Sequence, residues 1–246
     1  MVYSNFNAIL EFDSESCRES NFIVVTDVNV DGNFLIHHFI SHFTKSNGSI
    51  SILGMAQTQT HYSSATHKLG VNLQQLLKDG RLKFIDGLQY VCDAFTDKTN
   101  ERSPLKDLTV IVDEAITSTS THQNGHLFVI DDLTALLNIG CSTQNVFDFV
   151  HHCKVMSEKH NISFLLLSHA DMEDDEYAVL SSRLQQYASL HINAQALRTG
   201  YSKDLSGEMQ VYNFKNPYAT SKKVLHFKLM DRDMRTFAPG TSSAVL

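Results

Sequence analysis

The sequence predicts an α/β protein: a mostly parallel central sheet, helices on both faces, and an antiparallel meander added at the C-terminal edge. Three observations carry this. Short, fully apolar, β-branched runs alternate with amphipathic helical patterns along most of the chain. After Tyr187 the pattern changes to polar–apolar alternation broken by turns. The chain has 246 residues, 42% hydrophobic and 19% charged, which suits one domain of this class with a sizeable core. We therefore expect a single domain over 1–246, with residues 1–20 as a weakly specified extension.

The elements follow in order. "FIVVT" (Phe22–Thr26) reads as a buried parallel strand. Phe34, Leu35, Phe39, Ile40 and Phe43 then recur at helical spacing, and the helix should stop near Asn47-Gly48. "SISILGM" (Ser49–Met55) is the next strand. The polar, glycine-free stretch "QTQTHYSSATH" is expected to be a loop facing an interface or RNA. "NLQQLLKDG" is a short helix with Asn72 as N-cap and Gly80 as its stop. "LKFID" (Leu82–Asp86) is a third strand. "LTVIVDE" (Leu108–Glu114) mimics a strand, but Leu105, Leu108, Val112 and Ile116 keep helical spacing, so a helix is expected. Thr117–Gly125 reads as a loop. "LFVIDD" (Leu127–Asp132) and "ISFLLLS" (Ile162–Ser168) are strands flanking a helix marked by Val146, Phe149, Val150, Cys153 and Met156. A helix near Tyr177–Tyr187 precedes "SLHINAQAL", "GEMQVYNF", "VLHFKLM" and "RTFAP", all read as antiparallel strands.

Composition excludes several classes. The net charge of −7 gives no bulk attraction to nucleic acid. Four cysteines without a CxxC pair fit reduced thiols and not a zinc site. No apolar run reaches membrane-spanning length, and the N-terminus has no signal-peptide pattern. Thirteen histidines include His38 and His42 at i, i+4, yet no third ligand is evident, so no metal is expected. "SHADMEDDE" holds Ser, His and Asp too close in sequence to meet as a triad.

The most informative stretch is "VVTDVNVDGNFLIHHF" (Val24–Phe39). It has the strand–turn–helix layout of a phosphate-binding loop. In a working loop the pattern GxxxxGK[ST] gives a tight turn, backbone N–H groups around the phosphates, a neutralising lysine and a hydroxyl on Mg²⁺. Aligned by Gly32, this chain has Asp27 in place of the first glycine, Asn33 in place of the lysine and Phe34 in place of the hydroxyl. Asp27 and Asp31 would face the phosphates, each close contact costing about 4 kcal/mol at an effective dielectric of about 20. No nucleotide cofactor is expected here. In "FVIDD", Asp131 followed by Asp132 fits a metal-binding strand end, or else a pair of turn-capping acids. Lys222, Lys223, Lys228, Arg232 and Arg235 make the meander locally basic. They read either as a solvated face or as a patch for RNA or a neighbouring subunit's acids.

At this point the sequence resembles the family of the sixth subunit of the Elongator complex. The residues carrying the resemblance are "DGNFLIHHF" (Asp31–Phe39), "HYSSATHKLGVNL" (His61–Leu73), "FVIDDLTALLNIG" (Phe128–Gly140), "FDFVHHCK" (Phe147–Lys154) and the ending "FAPGTSSAVL". The resemblance implies a RecA-like P-loop NTPase fold with a degenerate Walker A motif and no catalysis by this chain. It implies subunits four and five as partners in a hetero-hexameric ring, two copies of each, that binds tRNA. The parent complex modifies the wobble uridine of tRNA. The cytoplasm, with the nucleus as a second compartment, is the implied location, and no membrane is involved.

Two other readings stand beside this one. A nucleotide hydrolase could complete its pocket between subunits, with Arg183, Arg198 or Arg235 reaching a neighbour's phosphates. A plain interaction module would need no RNA contact. A dinucleotide oxidoreductase is disfavoured, since no GxGxxG follows the first strand.

Overall fold

The computed structural model describes residues 2–3, 10, 12, 15–96, 104–118, 124–170, 175–215 and 220–239. The ending "GTSSAVL", most of the loop before Gly125 and part of "SHADMEDDE" lie outside the described residues. In chain order the elements are β1 (Val2–Tyr3), a 3-10 turn (Ser16–Arg18), β2 (Phe22–Val28), α1 (Asn33–Lys45) and β3 (Ser49–Gly54). Then come α2 (Gln59–Lys68), α3 (Leu73–Lys78), β4 (Leu82–Asp86), α4 (Gly87–Thr96) and α5 (Pro104–Ser118). These are followed by β5 (His126–Ile130), α6 (Thr134–Asn138), α7 (Thr143–His160), β6 (Ser163–His169) and α8 (Asp175–Tyr187). β7 (Leu190–Gln195), β8 (Gly207–Asn213), β9 (Ser221–Leu229) and β10 (Met234–Phe237) complete the fold.

The strands form one ten-stranded sheet in the order β1-β10-β9-β8-β7-β2-β6-β5-β3-β4. Pairings from β7 across to β4 are parallel; those from β7 out to β1 are antiparallel. β7 is therefore the strand where the sheet changes character. It was expected to belong wholly to the antiparallel meander, but it pairs in parallel with β2, His191 lying opposite Val24. The cause is its connection: α8 packs on the sheet beneath β2 and β6 and returns the chain in the same direction.

Fully apolar strands have two faces to bury, and both are covered. On one face Leu35, Ile36, Phe39 and Ile40 of α1, Tyr62 of α2 and Leu73 of α3 pack on Ile23, Val25, Ile52, Val129 and Leu165. On the other, Val112 of α5, Val150 and Cys153 of α7 and Leu184 of α8 pack on Phe22, Val24, Phe128 and Phe164. The two faces take alternate residues of the same strand, as the pleat requires.

Helix ends follow local chemistry. Asn72 accepts from Gln75 N, and Gly80 stops α3 at φ +67°. Asn47 adopts φ +60° after α1, and Arg81 donates to Thr44 O and Gly48 O, carbonyls left open at that end. Gly125 is held at φ +90° where a Cβ would lie 1.8 Å from Cys17 O, so no other residue fits.

The stretch expected as a polar loop is instead helix α2. Thr58 caps it by accepting from His61 N. Only Tyr62 and Thr66, four residues apart, are buried. Two anchors on one side suffice because tertiary contacts hold the helix, while its remaining surface stays polar. No pattern in the sequence marked α4, α6 or β1.

Candidate functional site

The site lies where the C-terminal ends of β2, β5 and β6 meet. From β2 the chain runs through α1 to β3 on one side, while α8 leads to β7 on the other. Such a divergence leaves a crevice at the strand ends, the usual ligand position in open α/β sheets.

Asp27 closes this crevice from within. Its side chain is 3% exposed. Oδ2 accepts from Gly32 N at 2.6 Å, and Oδ1 lies 2.7 Å from His169 Nδ1. Thus the loop amide that would meet a phosphate already holds a carboxylate. A Cβ on Gly32 would come within 3.0 Å of that Oδ2. Gly32 is needed for the close approach, as it would be for a phosphate, but the anion is the chain's own.

His169 stands in register with Asp27 across the β2–β6 pair. Its Nε2 faces Asp132 Oδ2 at 3.8 Å. The hydrogen bond to Asp27, reinforced by the charges of Asp27, Asp132 and Asp31, raises its pKa to about 9 against the opposing effect of burial. At neutral pH a protonated imidazole sits between two carboxylates, where a working loop would use lysine and Mg²⁺.

The other replaced positions have turned away. Asn33 is 8% exposed at the first position of α1. Phe34 is half-buried, packs against the α1-side core and meets Phe227 of β9 with ring centroids 5.0 Å apart. Asp31 is exposed and its Oδ1 accepts from Asn33 N at 2.8 Å.

Asp131 and Asp132 have separate structural uses. Asp131 is fully buried. Its Oδ1 accepts from Met55 N at 2.5 Å and Ala56 N at 3.1 Å; its Oδ2 accepts from Gln57 N at 3.0 Å and Tyr62 Oη at 3.1 Å. Burial pushes its carboxyl pKa up, opposed by the three amides and the phenol. With four donors on two oxygens it ties the end of β3 to α2 and has no lone pair directed at the crevice. Asp132 Oδ1 accepts from Thr134 N at 2.8 Å and from the Thr134 hydroxyl, closing the turn that leads into α6. Asp131 thus serves the turn after β3, and Asp132 the turn before α6.

The residues present do not fit a nucleotide with its Mg²⁺: an internal anion fills the cradle, and no side chain carries the expected lysine or hydroxyl. Among the described residues no group of three His, Cys, Asp or Glu could hold a metal, and no helix is long and apolar enough to cross a membrane.

The basic residues of the meander do not form one patch. Lys222 and Arg235 lie on the sheet face away from α1, where Lys222 stands opposite Tyr212 and Arg235 opposite Lys228. Lys223 stands opposite Val211, a core residue of the α1 side, and so points to the other face. Arg232 lies in the β9–β10 turn. Period-two alternation separates neighbours that the sequence lists together. Of the arginines considered for a neighbour's phosphate, Arg183 stacks over the Phe147 ring at 4.9 Å, and Arg198 is exposed in the β7–β8 loop. Tyr62 was not singled out from sequence, and His169 was considered there only as a triad member and set aside. The readable signal was the matched polar end of two adjacent parallel strands, which becomes visible only once β2 and β6 are known to pair.

Comparison with known proteins now bears on this geometry. The family model for "Elongation complex protein 6" matches residues 3–231. The chain belongs to this family. Elongator complex protein 6 from Danio rerio is 30% identical and that from Homo sapiens 28%, each alignment covering 100% of both chains. The Drosophila melanogaster protein of the same name is 23% identical over 86% of this chain and 87% of its own length. Among solved structures, a KaiC-like protein from the hyperthermophilic archaeon Pyrococcus horikoshii OT3 superposes with TM-score 0.62. It covers 89% of this chain and 90% of its own at 10% identity, a likeness of fold alone. The fold of this Elongation complex protein 6 family member is RecA-like, with the parallel sheet and antiparallel C-terminal strands expected from sequence.

Proposed function

We propose that this chain is a non-catalytic subunit of the Elongator complex. It assembles with subunits four and five into a hetero-hexameric RecA-like ring, two copies of each, that binds tRNA and supports wobble-uridine modification. It works in the cytoplasm, with the nucleus as a second compartment. Family membership supports a place in the complex, since every curated relative compared carries its name.

The observation that carries the non-catalytic reading is the Asp27–Gly32–His169 arrangement. A carboxylate and an imidazole of the chain itself occupy the place of phosphate and its counter-charge. A nucleotide would have to displace a hydrogen-bonded ion pair whose carboxylate is buried and whose imidazole is 42% exposed, at a cost of about 1–2 kcal/mol after solvent screening. That is a factor of about ten in affinity.

The test is calorimetric titration of Mg²⁺–ATP into the isolated chain, then into the chain co-purified with subunits four and five. Binding by the assembly alone is the expected result. Micromolar binding by the isolated chain would overturn the reading.

A further inference from the structure

The sheet is covered on both faces only as far as β7. The apolar cluster beneath α8 takes Phe22, Val24, Phe164 and Leu166 but no residue of β8, β9 or β10. On those strands the residues facing away from α1 include Gln210, Tyr212, Val224 and Phe237, all half-buried, and none belongs to either core cluster. One half of one sheet face therefore has no layer over it among the described residues.

This face is ordered in advance. Gln195 Nε2 donates to Glu208 Oε1 at 2.7 Å, Gln210 Nε2 to the same oxygen at 3.1 Å, and Tyr212 Oη to Gln210 Oε1 at 2.7 Å. Tyr212 stands between its cross-strand neighbours. The His191 ring stacks 5.6 Å away at 18°, and Lys222 Nζ lies 5.0 Å from the ring centroid. Phe214 continues the row at 6.2 Å. Rings held in this way cannot accept an intercalated base, because both flanks of Tyr212 are taken. Tyr212 therefore offers no open ring face of the kind that single-stranded nucleic acid stacks on.

Lys222, Lys228 and Arg235 rim the face; Lys228 is paired with Asp204 at 3.9 Å, and the central acid, Glu208, is tied into the amide ladder and faces His226 at 4.0 Å. At the end of the face the β7–β8 loop presents Tyr201, 92% exposed. A cavity of about 430 Å³ there is lined by Leu197, Tyr201, Lys203 and Lys228. Fixed aromatics and amides inside a basic rim match the anatomy of a protein contact, in which Tyr and Arg are enriched. Three strands about 4.8 Å apart and roughly six residues long span about 290 Å². That is about a third of the ~800 Å² per partner of a standard interface, so the contact extends over the Tyr201 loop.

We infer that the outer face of β8, β9 and β10, together with the Tyr201 loop, docks a neighbouring protein subunit through a surface with an acidic rim. This rests on the Elongator reading above, and it names the surface and the charge of the partner. The experiment co-expresses the full chain with subunits four and five. The variants are Tyr201→Ala, and Lys222→Glu with Arg235→Glu; all three side chains are exposed, so the fold should be kept, and thermal unfolding checks it. Acylation of Lys222 is followed by mass spectrometry in the free chain and in the assembly.

The expected result is at least tenfold weaker association for each variant with unchanged melting, and slower acylation of Lys222 in the assembly. Normal association of the variants, or equal acylation of Lys222, overturns the proposal while leaving the Elongator reading intact. Failure of the wild-type chain to associate overturns both. Protection of Lys222 by tRNA alone, without the other subunits, overturns the protein assignment in favour of RNA.

Discussion

Asp27 Oδ1 and His169 Nδ1 lie 2.7 Å apart across adjacent parallel strands, joining residues separated by 142 positions in sequence. The pair is the electrostatic centre of the crevice, and its removal is the sharpest test of what the crevice does. With His169→Gln, Asp27 and Asp132 face one another with no cation between them. The His169 side chain is 42% exposed, so solvent screening reduces the effect to about 1–2 kcal/mol. Urea unfolding at pH 7 should show that loss, and adding Asp27→Asn should recover part of it.

The pH profile follows from four histidines. His169 has its pKa raised to about 9, above the unfolded value of 6.5. Its contribution is full below pH 6.5 and is lost as pH rises through about 9. His37, His38 and His191 are lowered to about 4, chiefly by burial. The unfolded chain binds their protons first, so stability falls as pH drops from 6.5 through 4. Denaturant midpoints measured from pH 4 to 10 should peak near pH 6.5. A plateau unchanged to pH 10 would remove His169 from this role.

Asp131 is predicted to matter more for folding than Asp132. Asp131→Ala leaves three amides and a buried phenol without their acceptor, a loss of about 3–5 kcal/mol. Asp132→Ala removes the bonds to Thr134 in the turn before α6, about 1 kcal/mol. Equal losses in urea titrations would show that the four bonds to Asp131 do not act together.

Restoring the missing loop residues should not restore nucleotide binding. Asn33→Lys with Phe34→Thr supplies the lysine and hydroxyl but leaves the Asp27 carboxylate on Gly32 N. The swap also removes the half-buried Phe34 from Phe227, costing about 1–2 kcal/mol. Calorimetry with Mg²⁺–ATP is expected to stay silent. A micromolar signal would mean that Asp27 is not the block.

Gly125→Ala should be among the most damaging single-methyl additions. The new Cβ would meet Cys17 O at 1.8 Å with φ held at +90°. Left-handed strain and overpacking together give about 3–5 kcal/mol, readable as a large drop in melting temperature.

The sequence by itself determined the parallel core, because runs such as "FIVVT" and "ISFLLL" can be satisfied only by burial on both faces. It determined the helix stops at Asn47 and Gly80, where local backbone chemistry decides, and the replaced loop positions Asp27, Asn33 and Phe34. Tertiary structure alone decided how those positions are used. Asp27 meets His169 only through the β2–β6 register, and Asp131 leaves the crevice because the turn after β3 offers three amides. The polar stretch at Gln59–Lys68 became a helix because Tyr62 and Thr66 found a buried side. Lys222 and Lys223 parted because neighbouring residues of a strand face opposite ways, and β7 turned parallel because α8 brought the chain back beside β2. Each of these depends on a partner distant in sequence, and local patterns carry no information about that partner.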